Sequence, residues 1–141
     1  MKSNLFFTCG FQGDNSWIVL SNRKLMHSMD IKEMLLMIEN INNREGGARL
    51  EVIPEPDIGL SELSVRCDGE KYLLTLAEYL DDGDLIVRTK SDTPYNPNLV
   101  VFDGDGEMYP SSAIIDDFDF VIKVFSIFLE TGDVPYDLMD I

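Results

Sequence analysis

The stretch that most constrains this chain is DDFDFVIKVFSIFLETG, residues 116–132. Phe118, Val121, Ile122, Phe125 and Leu129 recur at spacings of three and four, which places them on one face of a helix. Phe120, Val124, Ile127 and Phe128 widen that face well past an ordinary amphipathic stripe. A helix so apolar has too little polar surface to lie half in water, so it must cross a sheet and be buried on most sides. Asp116 or Asp117 supplies a carboxylate for the unpaired N–H groups of the first turn. Gly132 suits a left-handed helix stop, and Pro135 prevents resumption. The predicted helix spans 117–131. Burying its phenylalanines at roughly 2 kcal/mol each makes it the largest local contribution to stability.

The rest of the chain must supply that sheet. Leu5 to Phe11 reads as a first strand, and GDNS follows as a turn. Trp17 to Leu20 either extends a strand or leads into a loop, and the lone tryptophan reads as a core or rim anchor. A second helix is predicted over 30–44. Asp30 and Glu33 have the spacing of a capping box, with Met34, Leu35, Ile38 and Ile41 facing inward and Leu36 and Met37 at the margin. Its methionines read as core packing rather than as a partner groove. Gly46-Gly47 reads as its stop.

From Ala48 the period changes to two, the spacing of strands: ARLEVI, then Leu60 to Cys67, Tyr72 to Tyr79 and Leu85 to Thr89. Asp68-Gly69 is a hairpin signal. A loop over 91–98 carries Pro94 and Pro97, Leu99 to Phe102 is a short strand, and Met108 to Ile115 an edge segment. The expected fold is α+β: an antiparallel meander of about five to six strands covered on one face by two helices, 30–44 and 117–131, in a single domain, 1–141. The tail from 133 to 141 reads as loosely held, although Val134, Tyr136, Leu138 and Met139 could dock it back.

Catalytic equipment is sparse. His27 is the single histidine, set in LMHSM, and reads as packed or helix-proximal rather than catalytic. Cys9 and Cys67 have no metal or redox spacing and read as reduced thiols in or near the core of a cytoplasmic protein. No apolar run reaches the length of a membrane span, and the N-terminus lacks the length of a signal peptide. Asp103, Asp105 and Glu107 open like a calcium loop, but Met108 stands where its glycine belongs and Ile114 where its final glutamate belongs. Neither a catalytic site, a metal site nor a cofactor is expected.

Charge is the unusual quantity. Lys and Arg number 11 against 26 Asp and Glu, a formal net charge of −15. Such a surface repels nucleic-acid phosphates and anionic membranes and attracts basic proteins. The predicted partner-binding surface comprises Asp81, Asp82 and Asp84 in one turn and Asp103, Asp105 and Glu107 in another. Tyr95, stiffened by the prolines on either side, would be its aromatic anchor. The plainer reading, that these are solvated turns, stands beside it.

The segment YPSSAIIDDFDFVIKVFSIFLETGDVPYDLM, 109–139, resembles the C-terminal signature of small bacterial immunity proteins associated with deaminase toxins. Its F-L-x-T-G-x-x-P pattern is carried by Phe128, Leu129, Thr131, Gly132 and Pro135. That family usually continues to a tryptophan, where this chain has Leu138-Met139. Residues 48–139 are also similar to an uncharacterised enterobacterial family found in toxin–immunity settings. The resemblance implies a cytoplasmic antidote that binds the basic C-terminal domain of a cognate contact-dependent or Rhs-type toxin, touching neither nucleic acid nor membrane. A small carboxylate-dependent enzyme and a general acidic adaptor or phosphate mimic are the alternatives from other classes.

Overall fold

The computed structural model describes residues 4–27, 30–90, 98–102 and 108–140. The elements in chain order are β1 (Asn4–Gln12), β2 (Trp17–His27), α1 (Ile31–Glu39), β3 (Glu45–Ile53), β4 (Gly59–Asp68), β5 (Lys71–Tyr79), β6 (Leu85–Arg88), β7 (Leu99–Val101), β8 (Met108–Pro110), β9 (Ile114–Ile115) and α2 (Phe118–Thr131). The main sheet is antiparallel, with strands in the order β2-β1-β3-β4-β5-β6, and β9 pairs with the start of β5. The architecture is α+β, with both helices on one face of the sheet.

Alternation along the strands sets that face. Leu5, Phe7, Cys9 and Phe11 of β1, Ala48 and Leu50 of β3, Leu63, Val65 and Cys67 of β4, and Tyr72, Leu74 and Leu76 of β5 all point into one core. Met34 and Ile38 of α1 join it, as do Phe118, Val121, Val124, Phe125, Phe128 and Leu129 of α2. The α2 caps form as its sequence requires. The Asp117 carboxylate accepts from the Asp119 N–H at 3.0 Å, and Gly132 takes the left-handed conformation at φ 76°.

The first helix departs from expectation at both ends. It spans 31–39 rather than 30–44, and Asp30 makes no capping bond to it. The Asp30 carboxylate instead accepts from the His27 N–H at 3.1 Å, closing the turn out of β2. The stop comes in the asparagine run, where Asn43 adopts φ 61°, and Gly46-Gly47 belongs to β3. Asn42 earns that place by accepting from the buried Tyr72 hydroxyl. His27 is exposed at the end of β2, not packed.

The β4-β5-β6 meander forms with its Asp68 and Asp81–Asp84 turns. Leu99 to Phe102 does not extend it. Val101 pairs with Met108 in a separate two-stranded sheet, β7-β8. This small sheet and the 3-10 turn Ser111–Ala113 lie beside Leu73, where Phe102, Ala113 and Tyr109 form a second apolar cluster. The tail does dock: Val134 and Met139 are buried, and Lys90 bridges to Met139. Among the described residues no helix is long and apolar enough to cross a membrane.

Candidate binding face

The side chains of alternate parity define the sheet face away from the α-helices. In register, Leu25, Phe6, Glu51, Glu62 and Ala77 form one row across it, and Thr8, Arg49, Ser64 and Thr75 the next. The third row is Val19, Gly10, Gly47, Arg66 and Leu73. In that row two adjacent strands carry no side chain. The result is a trough of about 670 Å³ floored by Gly10 and Gly47.

The walls of the trough differ. On one side the Trp17 indole lies so close over Gly10 that a Cβ there would stand 2.7 Å from its Nε1. On the other, Arg66 donates to the Tyr109 hydroxyl at 2.7 Å and lies near the Phe102 and Tyr109 rings. A Cβ on Gly47 would stand 2.7 Å from the Val65 carbonyl oxygen, and one on Gly46 2.3 Å from that of Gly10. Gly10 therefore lets the indole lie against the strand, and Gly46 and Gly47 permit the close strand pairing.

The charged residues along the trough are partly paired. Arg23 donates to both carboxylate oxygens of Glu51, at 3.2 and 3.3 Å, and lies over the Phe6 ring. Arg49 lies 3.5 Å from Glu51 and 3.6 Å from Glu62. Burial raises the Glu62 carboxyl above its ordinary pKa, the Arg49 charge opposes that, and Glu51 adds to it. Glu45 and Asp68 face each other in register at the end of the trough. Among the described residues no ion pair reaches either of them.

The uncovered edge strand β2 borders this face. Trp17 is 52 % exposed, Val19 55 % and Leu25 50 %, and all three project on the helix-free side. Val19 lies beside Trp17 and Leu25 toward the other end of the strand. Solvent-facing apolar residues beside a tryptophan mark contact surfaces, because an indole supplies large area at low cost in conformational freedom.

The predicted acidic surface lies elsewhere. Asp81, Asp82 and Asp84 are brought together, exposed, in the β5–β6 turn, where the Asp82 carboxylate accepts from the Asp84 N–H at 2.9 Å. Glu55 and Asp57 are exposed at the same end of the sheet. The strand β5 separates this acidic end from Asp68 by roughly 25 Å. Tyr95, Asp103, Asp105 and Glu107 lie outside the described residues. Sequence reasoning missed the trough. Its available signal was Gly10 and the Gly46-Gly47 pair, which fall at opposed register positions once β3 is allowed to start before Ala48.

The model of a family of unknown function, DUF6911, matches residues 8–138. The chain belongs to that family. The match takes in both walls of the trough and the whole of α2. A hypothetical protein from Neisseria gonorrhoeae, known from its crystal structure, has a similar fold. Its TM-score is 0.74 at 23 % identity, over 96 % of this chain and 92 % of that one. A search of curated proteins finds no match.

Proposed function

We propose that this protein is a cytoplasmic immunity protein that neutralises a basic toxin domain by binding it, and that it transforms no substrate of its own. The observation that carries the reading is the uncovered, aromatic-anchored face along β2, displayed by a chain of net charge −15. Exposed apolar surface gives a partner something to desolvate, and the acidic field draws a basic partner toward it. The resemblance of 109–139 to immunity proteins supplies the kind of partner. Toxins that attack nucleic acids carry basic substrate surfaces because they must hold phosphates, and an acidic antidote competes for that surface.

The test is co-expression of the full chain with a candidate toxic domain, taken from any effector gene found immediately upstream. Growth is expected to be restored, with the two proteins co-purifying. Cells that die while holding this protein at full level would defeat the reading.

A further inference from the structure

We propose that the Trp17 trough is the receptor for an arginine side chain of the partner. The inference deepens the reading of a basic partner and rests on it. Four features of the trough converge on a guanidinium.

The first is shape: a trough of about 670 Å³ lies open beside the indole, which itself fills the space over Gly10. The second is the indole. A guanidinium is planar and weakly hydrated, so it stacks on an aromatic face where an ammonium keeps its water. The fold already uses this pairing, with Arg23 over Phe6 at 4.1 Å and Arg88 over Tyr136 at 3.7 Å. The third is Thr8 Oγ1, which borders the trough buried and without a hydrogen-bond partner. That oxygen is closed to solvent as the trough stands, so an incoming N–H satisfies it only where the neighbouring side chains give way.

The fourth is charge. The lining carries three carboxylates, Glu45, Glu62 and Asp68, against two guanidiniums, Arg49 and Arg66. Arg49 is held by Glu51 and Glu62, and Arg66 by Tyr109. Glu45 and Asp68 remain, like charges directly opposite each other. Lys71 stands across from Asp68 on β5, but among the described residues no ion pair joins them, and a cation between the two carboxylates relieves their repulsion. One guanidinium has enough donors to reach both while its face rests on the indole.

The chain has a single tryptophan, so its indole N–H gives one resolved reporter at the site. The full-length protein, labelled with nitrogen-15, is titrated with N-acetyl-arginine-N-methylamide and, separately, with the citrulline counterpart, which keeps the shape and lacks the charge. The expected result is a saturable shift of the indole cross-peak with arginine, with Kd on the order of millimolar, and no comparable shift with citrulline. A Glu45→Gln/Asp68→Asn variant is expected to weaken arginine binding about fivefold or more, with wild-type circular dichroism. An unsaturable shift, an equal response to citrulline, or unchanged affinity in a folded double variant overturns the proposal. The wild-type titration alone decides it should the variant not fold. No toxin is present, so the trough can fail while neutralisation stands, and neutralisation can fail while the trough binds arginine.

Discussion

Cys9 and Cys67 sit on the core face of β1 and β4, with β3 between them, both as free thiols. Burial pushes each thiol from its ordinary pKa of 9.0 up to about 12, and for Cys67 the neighbouring Cys9 adds to the effect. An unfolded chain gives up these protons near pH 9, whereas the folded chain keeps them to about 12. Stability conferred by the protonated thiols is therefore complete below pH 9 and declines as pH rises from there, by at most about 1.4 kcal/mol per thiol for each pH unit. A Cys9→Ala/Cys67→Ala variant should lose stability less steeply between pH 9 and 11 in urea titrations. Parallel curves for variant and wild type would contradict the assignment. The reduced, buried state of both residues was legible from their spacing alone. The role of Gly10 and Gly47 was not, because a missing side chain has meaning only when its cross-strand neighbour is known.

Elements differ in how openly the sequence declares them. In α2, a wide apolar face, an aspartate before the first turn and a glycine after the last agree, and the helix forms over Phe118–Thr131. In α1 the signals conflict. Asp30 and Glu33 match a capping box, but the Asp30 carboxylate is taken by the His27 N–H, and the helix gives way to a turn at Asn40. The strand β2 was half seen because an edge strand exposed on both faces need not alternate. Register shifts near Cys9 and a positive φ at Arg23 break what periodicity remains. Such irregularities also blunt an edge against unwanted strand pairing.

The tail reads from the sequence as loosely held, with apolar residues able to dock it, but it is clasped by Arg88, which reads in LIVRT as an ordinary strand residue. Arg88 is fully buried and donates to the Met139 and Val134 carbonyls at 2.7 Å each and to Glu78 at 3.1 Å. Glu78 also accepts from the Tyr136 hydroxyl. Arg88→Ala removes one of the two donors to the half-buried Glu78 carboxylate and takes from two carbonyls the donor they share, and should cost about 3 kcal/mol. The amides of Val134 to Met139 should then exchange hydrogen faster than those of β3 and β4. Unfolding within about 0.5 kcal/mol of wild type would mean that the clasp does not hold the tail.

At the scale of the whole molecule, the exposed carboxylates of two loops and the tryptophan trough lie at opposite ends of the sheet, although Ile58 and Leu85 are exposed at the first end and Glu45 and Asp68 line the second. One end carries Glu55, Asp57, Asp81, Asp82 and Asp84, all exposed. The other end, beyond the length of β5, carries Trp17 and the trough. On the proposed reading, the acidic end would set how often a basic partner arrives in the right orientation, and the indole face how long it stays. The acidity and the Asp81–Asp84 turn were legible in the sequence, but the trough was not, because it is assembled from β1, β2, β3 and β4 across most of the first half of the chain.

The most direct test of the account is the association rate between this protein and the purified toxic domain, measured against ionic strength. The account predicts a rate that falls steeply as salt rises. Changing Asp81, Asp82 and Asp84 to Lys should lower that rate about tenfold at low salt and flatten its salt dependence, with dissociation little altered. An association rate indifferent to both salt and charge reversal, or the absence of any complex, would contradict it.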